Sequence, residues 1–384
     1  MVRTWLALVM ALPLLATAGA GVDERGAAPD LDKVVGQPDR CYEPFAAGPS
    51  NVPGELVLAG TTSVAGASAA TRRPFVLSVD FDGRWREVLV DDARVRSLEA
   101  RGVARLDATT FVISGVGSAG ESLALVDHTG RLEEVKNLAT DVAVMGLERG
   151  SANDFLVYGR LGTRPYYASL NRSLAAIFER FPSVAAPMAQ VLKARYSRAR
   201  DAIWMVVQSV DAKRNPRVTL LKHDLLGNPV ASTDVKAMYA DFEETSDGVL
   251  LLYYAAAGDA QSMVVASFDK ALKQRWVSEP LRARRGVIAP RVVLLEDEVL
   301  VVAADEFKLL LAGFDLSGRH LWTYRDPSSS VSPGSTYLIA HDGARLLLAQ
   351  PDRRGGDATH GAPDPSCTRI RVVRFQGRGR TGAR

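Results

Sequence analysis

Histidine is scarce in this chain, and the little there is has no pattern. The five histidines, His128, His223, His320, His341 and His360, show no metal-ligand spacing and no HExxH, so no metal centre is expected. No GxSxG, no P-loop and no GxGxxG between a strand and a helix occurs, which withholds the usual signatures of nucleophile-elbow hydrolases and nucleotide binders. GVGSAG, Gly115 to Gly120, is a glycine-rich strand end and loop. Charge of one sign is also lacking. A net charge of +3 is too small for a bulk polyanion binder, so nucleic acid is not a partner and any other anion must be met by a local patch. Beyond the N-terminus, long uncharged apolar runs are missing. The best candidate, VVLLEDEVLVVAADEFKLLL, is broken by Glu296, Asp297, Glu298 and Asp305, and spanning a bilayer takes about 20 apolar residues.

What is present suits a packed core: 47% of the residues are hydrophobic and 24% charged. The start, MVRTWLALVMALPLLATAGAG, has Arg3, an apolar stretch from Trp5 to Leu15, and small residues at Ala16-Thr17-Ala18 or Ala18-Gly19-Ala20. This is the layout of a secretory signal peptide over residues 1–20. No cysteine follows the apolar run, which argues against a lipoprotein anchor. The mature protein is expected to be secreted or periplasmic, without a membrane span.

The body of the chain repeats itself. Asp80-x-x-Gly83, Asp127-x-x-Gly130, Asp224-x-x-Gly227 and Asp315-x-x-Gly318 share one pattern, with Asn171-x-x-Leu174, Asp269-x-x-Leu272 and Arg374-x-x-Gly377 as degenerate copies. Asp at the first position of a type I turn accepts a local backbone N–H, and Gly suits the fourth. Each turn follows an apolar run, as a hairpin requires. A second ladder, Asp107, Asp154, Asp201, Asp247, Asp297 and Asp342, precedes strongly apolar strands at steps of 47, 47, 46, 50 and 45 residues, and Pro53-Gly54 stands as its first member. Seven copies of about four strands, at a period in the mid-forties, predict an all-β, seven-bladed β-propeller of four-stranded antiparallel blades. Asp80-x-Asp82 reads as a capped turn rather than a calcium loop.

The ring is expected to be closed by the N- and C-terminal segments. After Gly377 only RGRTGAR remains, so the last blade lacks a strand that Leu31 to Phe45 could supply, either as its outer strand or as the first blade's inner one. The predicted organisation is a signal peptide (1–20), a leader (21–40, flexible over Gly21 to Pro29), the propeller (41–377) and a disordered basic tail (378–384). Cys41 and Cys367 stand at opposite ends of the array and would meet in a disulfide only if the ring closes, a restraint on the order of 5 kcal/mol.

FDLSGRHLWTY and SFDKALKQRWV resemble the aspartate–glycine–tryptophan repeat of the quinoprotein-like propeller superfamily, with Trp322 and Trp276 seven residues after the Asp and Trp85 a near match. The resemblance implies a propeller whose tryptophans dock neighbouring blades. It implies no activity. The adjacent cysteine pair typical of its quinone-dependent dehydrogenases is absent, so no cofactor is expected. SVDFDGRW, Ser78 to Trp85, also resembles the Asp-box of sialidase-like propellers, but its Gly comes one residue late, and a hairpin turn describes it better.

Both ladders of turns should lie on one rim. The opposite rim collects basic residues: Arg72-Arg73, Arg160 and Arg164, Lys213-Arg214 with Arg217, Arg282 with Arg284-Arg285, and Arg353-Arg354, with TRPYY (Thr163 to Tyr167) adding aromatics. Arginine suits bidentate contact with carboxylate, sulfate or phosphate. The expectation is a monomeric, non-catalytic binding or scaffold module whose arginine-rich loop face meets an anionic polysaccharide or an acidic protein surface. The alternative is a glycoside-acting or quinone-dependent enzyme, which would show acids or histidine converging at the channel axis.

Overall fold

The computed structural model of the chain describes residues 29–376, except 49, 51, 53, 66–71, 151–152, 185, 258–259, 283–287, 306–307, 327–337 and 353–367. Seven antiparallel sheets form the blades. From the axis outward, blade 1 is Arg40–Gly48, Glu55–Val64, Arg73–Asp80 and Trp85–Leu89, and blade 2 is Glu99–Arg105, Thr110–Gly117, Gly120–Asp127 and Leu132–Asn137. Blade 3 is Val142–Arg149, Asp154–Leu161, Arg164–Asn171 and Ala176–Arg180, and blade 4 is Met188–Tyr196, Ala202–Val210, Pro216–Asp224 and Pro229–Val235. Blade 5 is Ala237–Thr245, Gly248–Ala257, Ala260–Asp269 and Gln274–Val277, with Leu281–Arg282 continuing the outer edge, and blade 6 is Ile288–Leu294, Val299–Asp305, Lys308–Phe314 and His320–Arg325. Blade 7 is Leu338–His341, Arg345–Asp352 and Arg369–Gln376, and its outer strand is the N-terminal Leu31–Val35. No described helix is long and apolar enough to cross a membrane.

The repeated turn has the expected chemistry. Asp315 Oδ1 accepts from the backbone N–H groups of Ser317 and Arg319, both at 3.0 Å, and the Gly318 N–H closes onto the Asp315 carbonyl at 2.9 Å. Asp80 does the same toward Asp82 and Arg84, so it is a turn cap. The fourth position is left-handed: φ is 85° at Gly318, and also 55° at Leu174 and 63° at Leu272. A leucine there costs roughly 1–2 kcal/mol, which burial offsets, since both leucines are packed inside inter-blade clusters.

Each blade is apolar on both faces, and neither face can be hidden within one sheet. The seven apolar clusters among the described residues each join two neighbouring blades, the last and first included. The predicted tryptophan docking is present. Trp276 of blade 5 packs where a side chain on Gly318 of blade 6 would otherwise stand, and Trp322 sits in the cluster shared by blades 6 and 7 while its Nε1 donates to Glu298.

Closure uses the N-terminal segment twice. Leu31–Val35 pairs with the last strand, Leu31 opposite Arg374 and Val35 opposite Ile370, and Arg40–Gly48 then opens blade 1. The strand therefore begins inside the segment read from sequence as leader. Arg371 is the clasp. Its Nε donates to Asp32 at 2.7 Å and its Nη1 to Asp326, at the end of blade 6, at 2.9 Å. The Tyr42 N–H donates to the Thr368 carbonyl at 2.8 Å, which brings the chain next to Cys41 beside the chain next to Cys367; Cys367 itself, like the signal peptide and the basic tail, lies outside the described residues.

Candidate functional site: the axial channel

The strands nearest the axis carry the chemistry. Six of the seven contain a register shift, such as Val144/Gly146, Val191/Lys193 and Ile288/Arg291. A bulge adds a residue and re-aims the side chains after it. A cavity of about 490 Å³ lies between these strands. Its wall is uneven: blade 1 contributes Ala46, Ala47 and Gly48 with Glu55, blade 2 contributes Gly102 with Arg101, and most of the charge comes from blades 3 to 6, with His341 from blade 7.

The charges alternate. Lys193 Nζ lies 2.8 Å and Arg291 Nη1 3.4 Å from the same oxygen, Asp241 Oδ1, whose other oxygen accepts the Val292 N–H at 3.0 Å. Arg195 Nη1 donates to Glu243 at 2.9 Å, and its Nε faces Glu148 at 3.7 Å. Arg198, in the turn after the inner strand of blade 4, reaches Glu243 at 3.1 Å, and His341 Nε2 stands 3.9 Å from it. The cluster thus leans toward the rim of the aspartate turns. The acids are the hidden partners: the Asp241 and Glu243 side chains are 1% and 4% exposed, against 35% for Arg291 and 28% for Arg195.

This environment separates the two glutamates. Burial pushes the Glu148 carboxyl above its usual range, against the pull of Arg195 and Lys193. Burial acts on Glu243 too, but Arg195, Lys193, His341 and Arg198 together outweigh it and hold that carboxyl at about 2. His341 is pushed down by burial and by the nearby cations, with Glu243 opposing.

The arginine-rich loops lie at the other end. Arg72-Arg73, Arg164 and Lys213-Arg214-Arg217 sit at or beside the second-to-third-strand connections of blades 1, 3 and 4, opposite the turn ladders. They do not converge. Arg72 pairs with Glu43 at 3.1 Å, Arg73 with Asp91 at 3.0 Å, and Arg217 approaches Asp234 at 4.0 Å. Arg164 stacks over Phe181 at 4.2 Å, while Lys213 and Arg214 are exposed at a turn. Arg284, Arg285, Arg353 and Arg354 lie outside the described residues.

His128, His223 and His320 fall in or beside first-ladder hairpins, where a solvated turn residue is expected. His223 is not a solvated turn residue: it is 3% exposed between blades 3 and 4, with Nδ1 2.8 Å from the Tyr167 hydroxyl. It lies on the strand before the turn, where the alternation directs it inward.

The channel charges were missed in the sequence, yet a signal exists. Arg101, Glu148, Arg195, Asp241 and Arg291 each stand six residues before a second-ladder aspartate, and their sign alternates. Arg101 pairs within its own blade, with Glu121 at 3.3 Å, and the other four join the network between blades.

No family profile matches the chain. No curated protein matches it either. Solved structures do. The Kuenenia stuttgartiensis hydrazine synthase is similar at a TM-score of 0.58 and 11% identity, over 81% of this chain and 93% of that one. The Dos1 propeller is similar at 0.54 and 8%, over 90% and 95%, and the WD40 domain of Toxoplasma gondii coronin at 0.53 and 9%, over 94% and 90%. Identities this low speak to the fold alone, and the fold they share is the propeller.

Proposed function

We propose that the chain is an exported, monomeric, non-catalytic propeller that serves as a binding or scaffold module, with its ring locked by a Cys41–Cys367 bridge. The observation that carries this reading is how the axial charges are used. Asp241 and Glu243, the buried acids, each pair with a cation from a neighbouring blade, so these carboxylates hold the ring together. Partner contact then falls to the loop face, where Lys213 and Arg214 project at a turn and Arg164 is held on Phe181. The partner is an anionic polysaccharide or an acidic protein surface, met through guanidinium and ammonium donors. The convergence of Glu148, Glu243 and His341 at the axis is the observation that favours the alternative, a channel-mouth enzyme.

One preparation tests both. Wild type should be retained on a heparin column, and Glu at Arg164, Lys213, Arg214, Arg284, Arg285, Arg353 and Arg354 should bring elution to lower salt. Unchanged retention removes the anion-binding face. Hydrolysis of an aryl glycoside by wild type but not by Glu148→Gln would transfer the function to the channel.

A further inference from the structure

Three groups in the axial cavity have bonding capacity that the protein does not use. Arg291 makes one long contact, Nη1 to Asp241 at 3.4 Å, and its Nε and Nη2 make no hydrogen bond among the described residues. The Tyr158 hydroxyl is the second. Tyr158 comes from the second strand of blade 3, yet its ring passes the inner strand to reach the channel because residue 146 is glycine; a Cβ there would collide with the Oη. Tyr158 is 9% exposed, and its hydroxyl has no hydrogen-bond partner among the described residues. That oxygen opens on the cavity, where it can donate to and accept from a molecule outside the chain. Glu148 is the third, held among the described residues only by the 3.7 Å approach of Arg195. Tyr158, Glu148 and Arg291 all line this one cavity.

The donors and acceptors define the occupant. A partly exposed guanidinium with an unused Nε/Nη2 edge calls for a carboxylate. The hydroxyl and the Glu148 carboxyl call for groups that both donate and accept, namely alcohols. The buried Asp241 and Glu243 lie behind their cations, so the face turned to the cavity is that of the cations. A space of about 490 Å³ takes a small molecule and no folded partner. We propose that the axial cavity binds a small hydroxylated carboxylate, a sugar acid or a hydroxy acid, with its carboxylate on Arg291 and its hydroxyls on Tyr158 and Glu148. This site goes beyond the loop-face reading and is independent of it.

The experiment is calorimetric titration of the purified full chain with glucuronate and, separately, tartrate, with glucose and acetate as controls. Saturable binding of glucuronate or tartrate is expected, and the tighter of the two names the source of the carboxylate. Glucose, lacking the charge, and acetate, lacking the alcohols, should bind at least about tenfold more weakly. Arg291→Gln should weaken binding by about tenfold or more, and Tyr158→Phe, which removes one oxygen and no charge, by several-fold. Should Arg291→Gln fail to fold, Tyr158→Phe carries the test alone. No saturable binding of either acid at millimolar concentration overturns the proposal, as does binding that Tyr158→Phe leaves unchanged. Heparin retention does not depend on Arg291 or Tyr158, so failure here leaves the loop-face reading standing, and the reverse also holds.

Discussion

Lys193–Asp241 and Arg72–Glu43 are the same chemistry in two places. The first joins blades 4 and 5 in the channel wall, at 2.8 Å, with the carboxylate almost wholly hidden; the second lies on the loop rim of blade 1, at 3.1 Å, with both side chains about half exposed. In the channel, losing one partner strands the other in a poor solvent, whereas on the rim water replaces it. Geometry barely differs between the two pairs. Burial decides which of them the fold depends on.

Three measurements can break that comparison. The largest effect is expected for Asp241→Ala, which leaves Arg291 and the Val292 N–H without their acceptor and Lys193 with the Phe242 carbonyl but no counter-charge there. Urea unfolding should show a loss of about 3–5 kcal/mol. A loss below about 1 kcal/mol would mean that the channel solvates its charges as the rim does.

The second is acid stability. Glu243 has a folded-state pKa of about 2 against an ordinary 4.5, so its stabilisation is present above pH 4.5 and disappears as the pH falls toward 2. The amount is on the order of 3 kcal/mol. His341, also depressed, adds a loss as the pH drops below 6.5. Glu148 is raised and works the other way: its contribution is present at low pH and is lost as the pH rises through its folded-state value. The net expectation is progressive acid destabilisation below pH 6.5, steepest below 4.5, and a shallower decline in Glu243→Gln. Equal acid profiles for the two proteins would show that Glu243 is not the group concerned.

The smallest effect is expected for Arg72→Ala, within about 0.5 kcal/mol of wild type and insensitive to salt beyond that margin. A cost above about 2 kcal/mol would place the rim pairs on a par with the channel.

Much of the architecture is legible in the residues because turns and buried strands are local. Asp315 and Gly318 announce their hairpin from within four positions, and the spacing of such signals counts the blades. Leu174 and Leu272 break the turn rule without breaking the turn, since each is held by the neighbouring blade and not by its own preference. The channel site was far less legible. Lys193 with Arg195 and Asp241 with Glu243 sit on half-buried strands where a charge every second residue looks like a solvated face, and Glu148 looks like a strand end. Tyr158 looks like a core aromatic, and only the missing side chain at Gly146 lets its hydroxyl through. Among the described residues, the basic loops so conspicuous in the sequence are dispersed over separate blades, with Arg72, Arg73 and Arg217 beside local acids and Arg164 stacked on Phe181.

By itself, the sequence determined the repeat, the number of blades and the need for terminal closure, because each follows from backbone turn chemistry and from apolar strands that one sheet cannot hide. Which charges meet was decided only by tertiary structure. Residues some 47 positions apart become neighbours when the ring curves back on itself, and the burial of Asp241 and Glu243 there, rather than residue type, turns ordinary lysine, arginine and carboxylates into a network.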